Sequence, residues 1–239
     1  MSAPRFLLET IPAPGGIAWL DRDEARHAVG SRRLGEGDAV DLVDGAGALA
    51  EARLGLERDR DGKLAAHVTS VQRVERPCPA LHVATAVPKG DRLGTLLDAL
   101  GQLAVETVTP LDCERSVTPA ERMAGERPQR ILCEALKQSR GAWRTELRPA
   151  CDPATFARQA AAAGQAVFML DPRGTALVPQ AAGVRSIALL VGPEGGFSEG
   201  EMRSLAESQA RAASLGGTVL RIELAAAAAC AAIRAMGQA

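Results

Sequence analysis

The spacing of apolar residues changes character near residue 76. Before it, short stretches alternate. From Ala48 to Leu56 the even positions Ala48, Ala50, Ala52, Leu54 and Leu56 are apolar, while Glu51, Arg53 and Glu57 lie between or just beyond them. A period of two is that of a half-buried strand. Asp38 to Val43 alternates weakly, with Val40 and Leu42 on one face, and Lys63 to Val74 reads as a third strand. Asp44-Gly45 and Asp59-Arg60-Asp61-Gly62 supply the turns, and Asp23 to Val29 is a short helix-like segment. Short strands joined by tight turns predict a small β-barrel over residues 1–75.

Arg76-Pro77-Cys78-Pro79 interrupts that texture, since proline cannot continue a central strand. The boundary predicted there opens a second domain over residues 76–239. In it, apolar strands at Leu81 to Val87, Val105 to Leu111, Ala166 to Leu170 and Ile187 to Val191 alternate with helical spacing. Leu93, Leu96, Leu97, Leu100 and Leu103 mark one helix over Asp91 to Ala104. Others follow at Arg127 to Ser139 with Gly141 after it, at Asp152 to Ala163 with Pro153 at its first position and Gly164 beyond, at Glu199 to Ala210, and at Glu223 to Met236. A short strand is expected around Thr218 to Leu220. Strands alternating with helices predict an α/β domain with a parallel sheet.

The strand Ile187 to Val191 runs into Gly192-Pro193-Glu194-Gly195-Gly196, then into a helix opened by Ser198 and Glu201 at capping-box spacing. Ligands of open α/β sheets sit at the carboxyl ends of such strands. Phe197 follows the last glycine, so the turn is not a Walker phosphate loop, and it lacks the G-x-G-x-x-G dinucleotide pattern. The inferred topology brings two more loops to this turn: Leu170-Asp171-Pro172-Arg173 and Ser214 to Arg221.

Composition narrows the classes. Net charge is −1, so a nucleic-acid partner requires a local basic patch. The sequence has no tyrosine, 4 phenylalanines and 2 tryptophans, which disfavours a base-stacking platform. Five scattered cysteines without a C-x-x-C pair point to reduced thiols in a cytoplasmic protein. The three histidines form no cluster with them, so no metal is expected. Met1-Ser2-Ala3-Pro4-Arg5-Phe6 does not open a signal peptide, and no stretch has the length of a membrane span.

Val191 to Ser198, paired with Leu215-Gly216 and Val219-Leu220-Arg221-Ile222-Glu223, resembles the RsmE family of 16S rRNA (uracil-N3) methyltransferases in the SPOUT superfamily. The likeness extends to Pro4-Arg5-Phe6, His27 to Arg33, Thr109-Pro110-Leu111, Glu114-Arg115-Ser116, Glu134 and Gln138-Ser139-Arg140. It implies a PUA-like barrel that grips RNA, followed by a trefoil-knotted parallel-sheet domain that forms homodimers. It further implies S-adenosylmethionine bound along Leu170, Gly192, Glu194, Gly195, Leu215, Gly216 and Leu220. The substrate would be 16S rRNA in the small ribosomal subunit.

Arg221 is then the candidate to stabilise a uracil anion, with Glu223 orienting it or accepting the proton. The plain alternative is a surface ion pair between these two. Arg5, Arg26, Arg32 and Arg33 are candidate RNA contacts; the alternative is a solvated face offset by Asp21, Asp23 and Glu24.

The family usually has Pro-Arg where Gly217-Thr218 stand, and threonine at Ile222 and Leu224. These departures fall on the acceptor side of the site. A non-catalytic RNA-binding or ribosome-assembly paralogue, a methyltransferase with another RNA acceptor, and an enzyme acting on a small nucleotide-like molecule therefore stay open.

Overall fold

The computed structural model describes residues 3–236, so Met1 and Ser2 of the N-terminal stretch read for a signal peptide lie outside the described residues. The chain divides into two compact units. One comprises residues 1–76 and 136–144, the other 77–135 and 145–239.

The first unit holds β1 (Arg5–Leu7), β2 (Ile17–Leu20), α1 (Arg22–Arg26), β3 (Ala39–Val43), β4 (Ala48–Arg58) and β5 (Leu64–Arg73). The strands form one sheet in the order β1-β3-β4-β5-β2, antiparallel except for β1 against β3. Phe6, Leu20, Leu42, Leu54 and Leu64 are buried in a shared core. Each such side chain contributes roughly 1.5–3 kcal/mol by leaving water.

The alternation in β4 holds through Leu54. It fails at Leu56, which is 59% exposed, because the ladder to β5 is irregular between Leu54 and Arg58. The segment read as helix-like begins as α1, capped by Asp21 Oδ1 accepting from the backbone N–H of Asp23 and Glu24, and continues as a π-turn over His27–Ser31.

Residues 136–144 were expected in the second domain but belong to this unit. Backbone N–H of Gly47 donates to Ala142 O at 2.9 Å, and Arg144 N–H to Gly45 O at 2.9 Å. Trp143 Nε1 donates to Val74 O at 3.0 Å. Gly47 has to be glycine, because an added Cβ would fall 2.4 Å from the Trp143 ring.

The second unit holds β6 (Ala80–Thr85), α2 (Arg92–Gln102), β7 (Thr107–Pro110), α3 (Glu126–Ser139, its last turn counted with the first unit), β8 (Glu146–Leu147), α4 (Pro153–Ala162), β9 (Ala166–Ala176), α5 (Leu177–Ala181), β10 (Ser186–Val191), α6 (Glu199–Glu207), β11 (Arg211–Ser214) and α7 (Ile222–Met236). Its six-stranded sheet runs β11-β9-β10-β6-β7-β8, with every pairing parallel. Ile187 to Val191 are all buried, as a central strand covered on both faces requires. α2 and α5 each pack on α7, and α4 packs on α6.

Local signals read correctly here. Asp152 caps α4 by accepting from Thr155 N–H, and Ser198 with Glu201 completes the capping box of α6. Two readings are corrected. The strand expected around Thr218 to Leu220 is not there; the edge strand is Arg211–Ser214. The strand from Ala166 does not close at Leu170 but runs to Ala176, with Leu170 to Gly174 looped out where Met169 pairs with Ala212 and Thr175 with Ala213.

Candidate active site

Three loops of the second unit enclose a cavity of about 490 Å³. They are the bulge Leu170 to Arg173, the turn Gly192 to Phe197, and the stretch Leu215 to Leu220 with Ile222 and Ala225 of α7 behind it. All seven residues read as cofactor-binding line this cavity: Leu170, Gly192, Glu194 and Gly195, with Leu215, Gly216 and Leu220 opposite. Its volume suits a small organic ligand.

The turn is braced by Arg115 and Glu201. Arg115 Nη1 donates to the carbonyl oxygens of Gly195 at 3.1 Å and Phe197 at 3.3 Å. Glu201 is buried, and its two carboxylate oxygens accept from Glu114 N–H at 2.9 Å and Ser198 N–H at 2.7 Å. Gly196 sits at φ +68°, closing the turn with its N–H on Pro193 O at 2.8 Å. Gly192 meets the buried Phe197 ring so closely that an added Cβ would lie 3.0 Å from it.

The bulge braces itself. Arg173 grips Asp171 through Nε at 3.1 Å and Nη2 at 2.8 Å, and its backbone N–H adds a third bond at 2.8 Å. The Arg173 hydrogen bond holds the Asp171 carboxyl below its ordinary value. Gly174 then passes β11 so tightly that an added Cβ would meet the Ala212 and Ala213 backbone at 2.6 Å.

The third wall is bare. Ser214 Oγ closes a small local turn with Gly216. Among the described residues, the N–H groups of Gly217, Thr218, Val219 and Leu220 find no protein acceptor. Val219 is 84% exposed. Unpaired backbone donors and close-approach glycines around a mainly apolar cavity suit the edge of an adenine ring, so the residues present fit S-adenosylmethionine.

Arg221 is exposed beside this wall and forms no ion pair among the described residues. The ion pair considered for it with Glu223 is absent: Glu223 lies 3.9 Å from Arg92 Nη1. Glu223 Oε2 is buried without a hydrogen-bond partner among the described residues.

On the first unit, Arg26, Arg32 and Arg33 are exposed, with Arg26 3.4 Å from Asp23 and Arg32 Nε 3.4 Å from His27 Nε2. Arg5 leaves the candidate RNA patch. Its side chain is 8% exposed, pairs with Asp41 and donates to Gly141 O at 3.0 Å, and burial lowers its basicity. Asp41 is also paired with Arg140.

Sequence reading missed the structural part of Arg92 and Glu201. Arg92 carries no signal beyond an ordinary charge at a helix start. Glu201 was recognised as half of a capping box, but its bond to Glu114 joins segments 87 residues apart.

The model of the RNA methyltransferase domain matches residues 74–234, and that of the RNA methyltransferase PUA domain matches residues 20–61. Ribosomal RNA small subunit methyltransferase E of Mycobacterium bovis is 31% identical, over 98% of this chain and 92% of its own. A Legionella pneumophila protein described as a methyltransferase, solved with SAM bound, superposes with a TM-score of 0.83 at 26% identity, covering 98% of both chains. Ribosomal RNA small subunit methyltransferase E of Neisseria gonorrhoeae gives a TM-score of 0.86 at 24% identity, also over 98% of each, which speaks for the fold. By its α/β domain, its PUA domain and these relatives, the chain belongs to the RNA methyltransferase family.

Proposed function

We propose that the protein transfers a methyl group from S-adenosylmethionine to N3 of a uridine in 16S rRNA of the small ribosomal subunit, acting as a homodimer in the cytoplasm. The observation that carries this reading is the cavity of about 490 Å³ walled by the three loops read from the sequence. Bound there, S-adenosylmethionine supplies an electrophilic methyl group on a sulfonium.

The chain's own residues do the rest. The braced turn and the bulge fix the reacting geometry, and alignment is the main requirement of an in-line displacement. Uracil N3 must lose its proton to become a nucleophile. Glu223, whose Oε2 faces Arg92 at 3.9 Å without a hydrogen bond, would accept that proton. Arg221 would stabilise the negative charge that spreads to the uracil carbonyl oxygens.

Arg26, Arg32 and Arg33 would meet RNA phosphates on the first unit. Exposed Val219 and Leu224 (54%) offer apolar surface to a second copy. The reading includes the family's knot around the cofactor loops.

Methyl transfer to small subunits, naked rRNA and free nucleosides tests this, with digestion of the product to locate the methyl group. N3-methyluridine from small subunits is expected. S-adenosylmethionine binding without transfer to any of the three would favour the non-catalytic paralogue, and transfer to nucleosides alone would favour a small-molecule enzyme. Arg221→Ala should lower turnover about 100-fold with cofactor affinity unchanged; full turnover would remove Arg221 from the mechanism.

A further inference from the structure

Arg92 opens α2, outside every loop that lines the cavity. Its guanidinium reaches one of these loops and the first turn of α7 behind another. Nη2 lies 3.5 Å from Glu194 Oε1 in the glycine-rich turn, and Nη1 lies 3.9 Å from Glu223 Oε2 in the first turn of α7. Glu194 lines the cavity, and Glu223 adjoins Ile222, which lines its other side. One cation therefore stands between carboxylates from two different walls. The Glu223 side chain is 13% exposed, and Oε2 has no hydrogen bond. A buried carboxylate without a protein donor is costly, and the Arg92 charge 3.9 Å away offsets that cost.

We propose that Arg92 is a positioning residue that ties the cofactor turn to the start of α7, setting Glu194 and Glu223 at a fixed separation across the site. The proposal rests on the cofactor and acceptor reading above. Arginine suits the task because its planar fork can face two carboxylates at once, whereas the lysine ammonium is a single point charge. Both distances exceed those of short charge-assisted hydrogen bonds. The pair can therefore be disturbed without unfolding the unit.

The test uses the full-length protein with Arg92→Gln, Arg92→Lys, Glu194→Gln and Glu223→Gln, and the Arg92→Gln double variants with each glutamate change. S-Adenosylmethionine binding is read by calorimetry, kcat and KM on small subunits, and melting temperature separately. Arg92→Gln is expected to weaken cofactor binding and to lower kcat, each about tenfold, with little change in melting temperature. Arg92→Lys should recover one of the two effects but not both. With Arg92→Gln already present, Glu194→Gln should cost less cofactor affinity, and Glu223→Gln less kcat, than in the parent.

Fully additive effects, or an Arg92→Gln protein within twofold of the parent in both quantities, would overturn the proposal. So would losses that simply track the melting temperature. If the parent binds S-adenosylmethionine but methylates nothing, the acceptor reading fails instead, while the Glu194 arm is still decided by cofactor binding.

Discussion

The turn Gly192 to Gly196 and the loop Leu215 to Leu220 face the same cavity, yet only the first is tied down. Two Arg115 hydrogen bonds, the Glu201 carboxylate, the packed Phe197 ring and the Arg92 ion pair all converge on the turn. The loop has one serine hydroxyl and a row of N–H groups without protein acceptors among the described residues. A preorganised wall presents its groups without further ordering cost, which favours tight binding of one ligand. A bare wall can adapt, at the cost of ordering when a ligand or a second chain arrives. Of the sequence departures, Gly217 and Thr218 fall on the bare wall, where the molecule constrains its own residues least, while Leu224 is exposed on α7 and Ile222 is buried behind the wall.

The largest effect expected from this contrast comes from Glu201→Ala. It removes the acceptor of two backbone N–H groups, Glu114 and Ser198, in a buried setting. Leaving such donors unsatisfied should cost about 2–4 kcal/mol, read by urea denaturation. Because the same carboxylate joins residue 114 to α6, S-adenosylmethionine affinity should fall with it. A loss below about 0.5 kcal/mol, the level of ordinary surface changes, would mean that the turn is held by other contacts.

Gly192→Ala probes the same wall more gently. Its new Cβ would press on a side-chain ring at 3.0 Å, not on backbone, so the ring can yield. Overpacking of this kind should cost about 1–2 kcal/mol. Cofactor affinity should drop because Phe197 shifts under the turn. A stability loss with unchanged affinity would show that the ring supports the fold but not the pocket.

How far the site could be read beforehand follows the same division between local and distant causes. The Ser198–Glu201 capping box, the Asp152-Pro153 start and the apolar run Ile187 to Val191 depend on neighbours within four residues, and they stand as read. Ala212 and Ala213 carry almost no strand signal, while Thr218-Val219-Leu220 looks like one. The edge strand nevertheless forms at Arg211–Ser214, because β9 offers its parallel partner there. The looping-out of Leu170 to Gly174 is likewise set by pairing across the sheet, invisible along the chain. Along the chain Arg5 reads as a candidate RNA contact, since nothing nearby foretells that Asp41 and Gly141 enclose it. The glycine-rich turn declares itself in sequence by its glycines, and its pairing with Leu215 to Leu220 follows from the family resemblance. The arginines that hold the turn do not declare themselves, because an arginine looks the same whether solvated or engaged.

The smallest effect should come from the bare wall. Gly217 has ordinary backbone geometry, and an added Cβ there would meet nothing within 4 Å. Gly217→Ala should therefore leave stability unchanged or raise it by about 0.4–1 kcal/mol, through the reduced freedom of the unfolded chain. Its informative readout is functional. If the loop orders around the cofactor or acceptor, a methyl group that restricts it will alter KM while the melting temperature holds or rises slightly. A stability loss comparable to that of Gly192→Ala would show that the loop is packed after all, and the contrast between the two walls would collapse. An unchanged KM for both substrates would keep the contrast in stability but deny the bare wall an ordering step on binding.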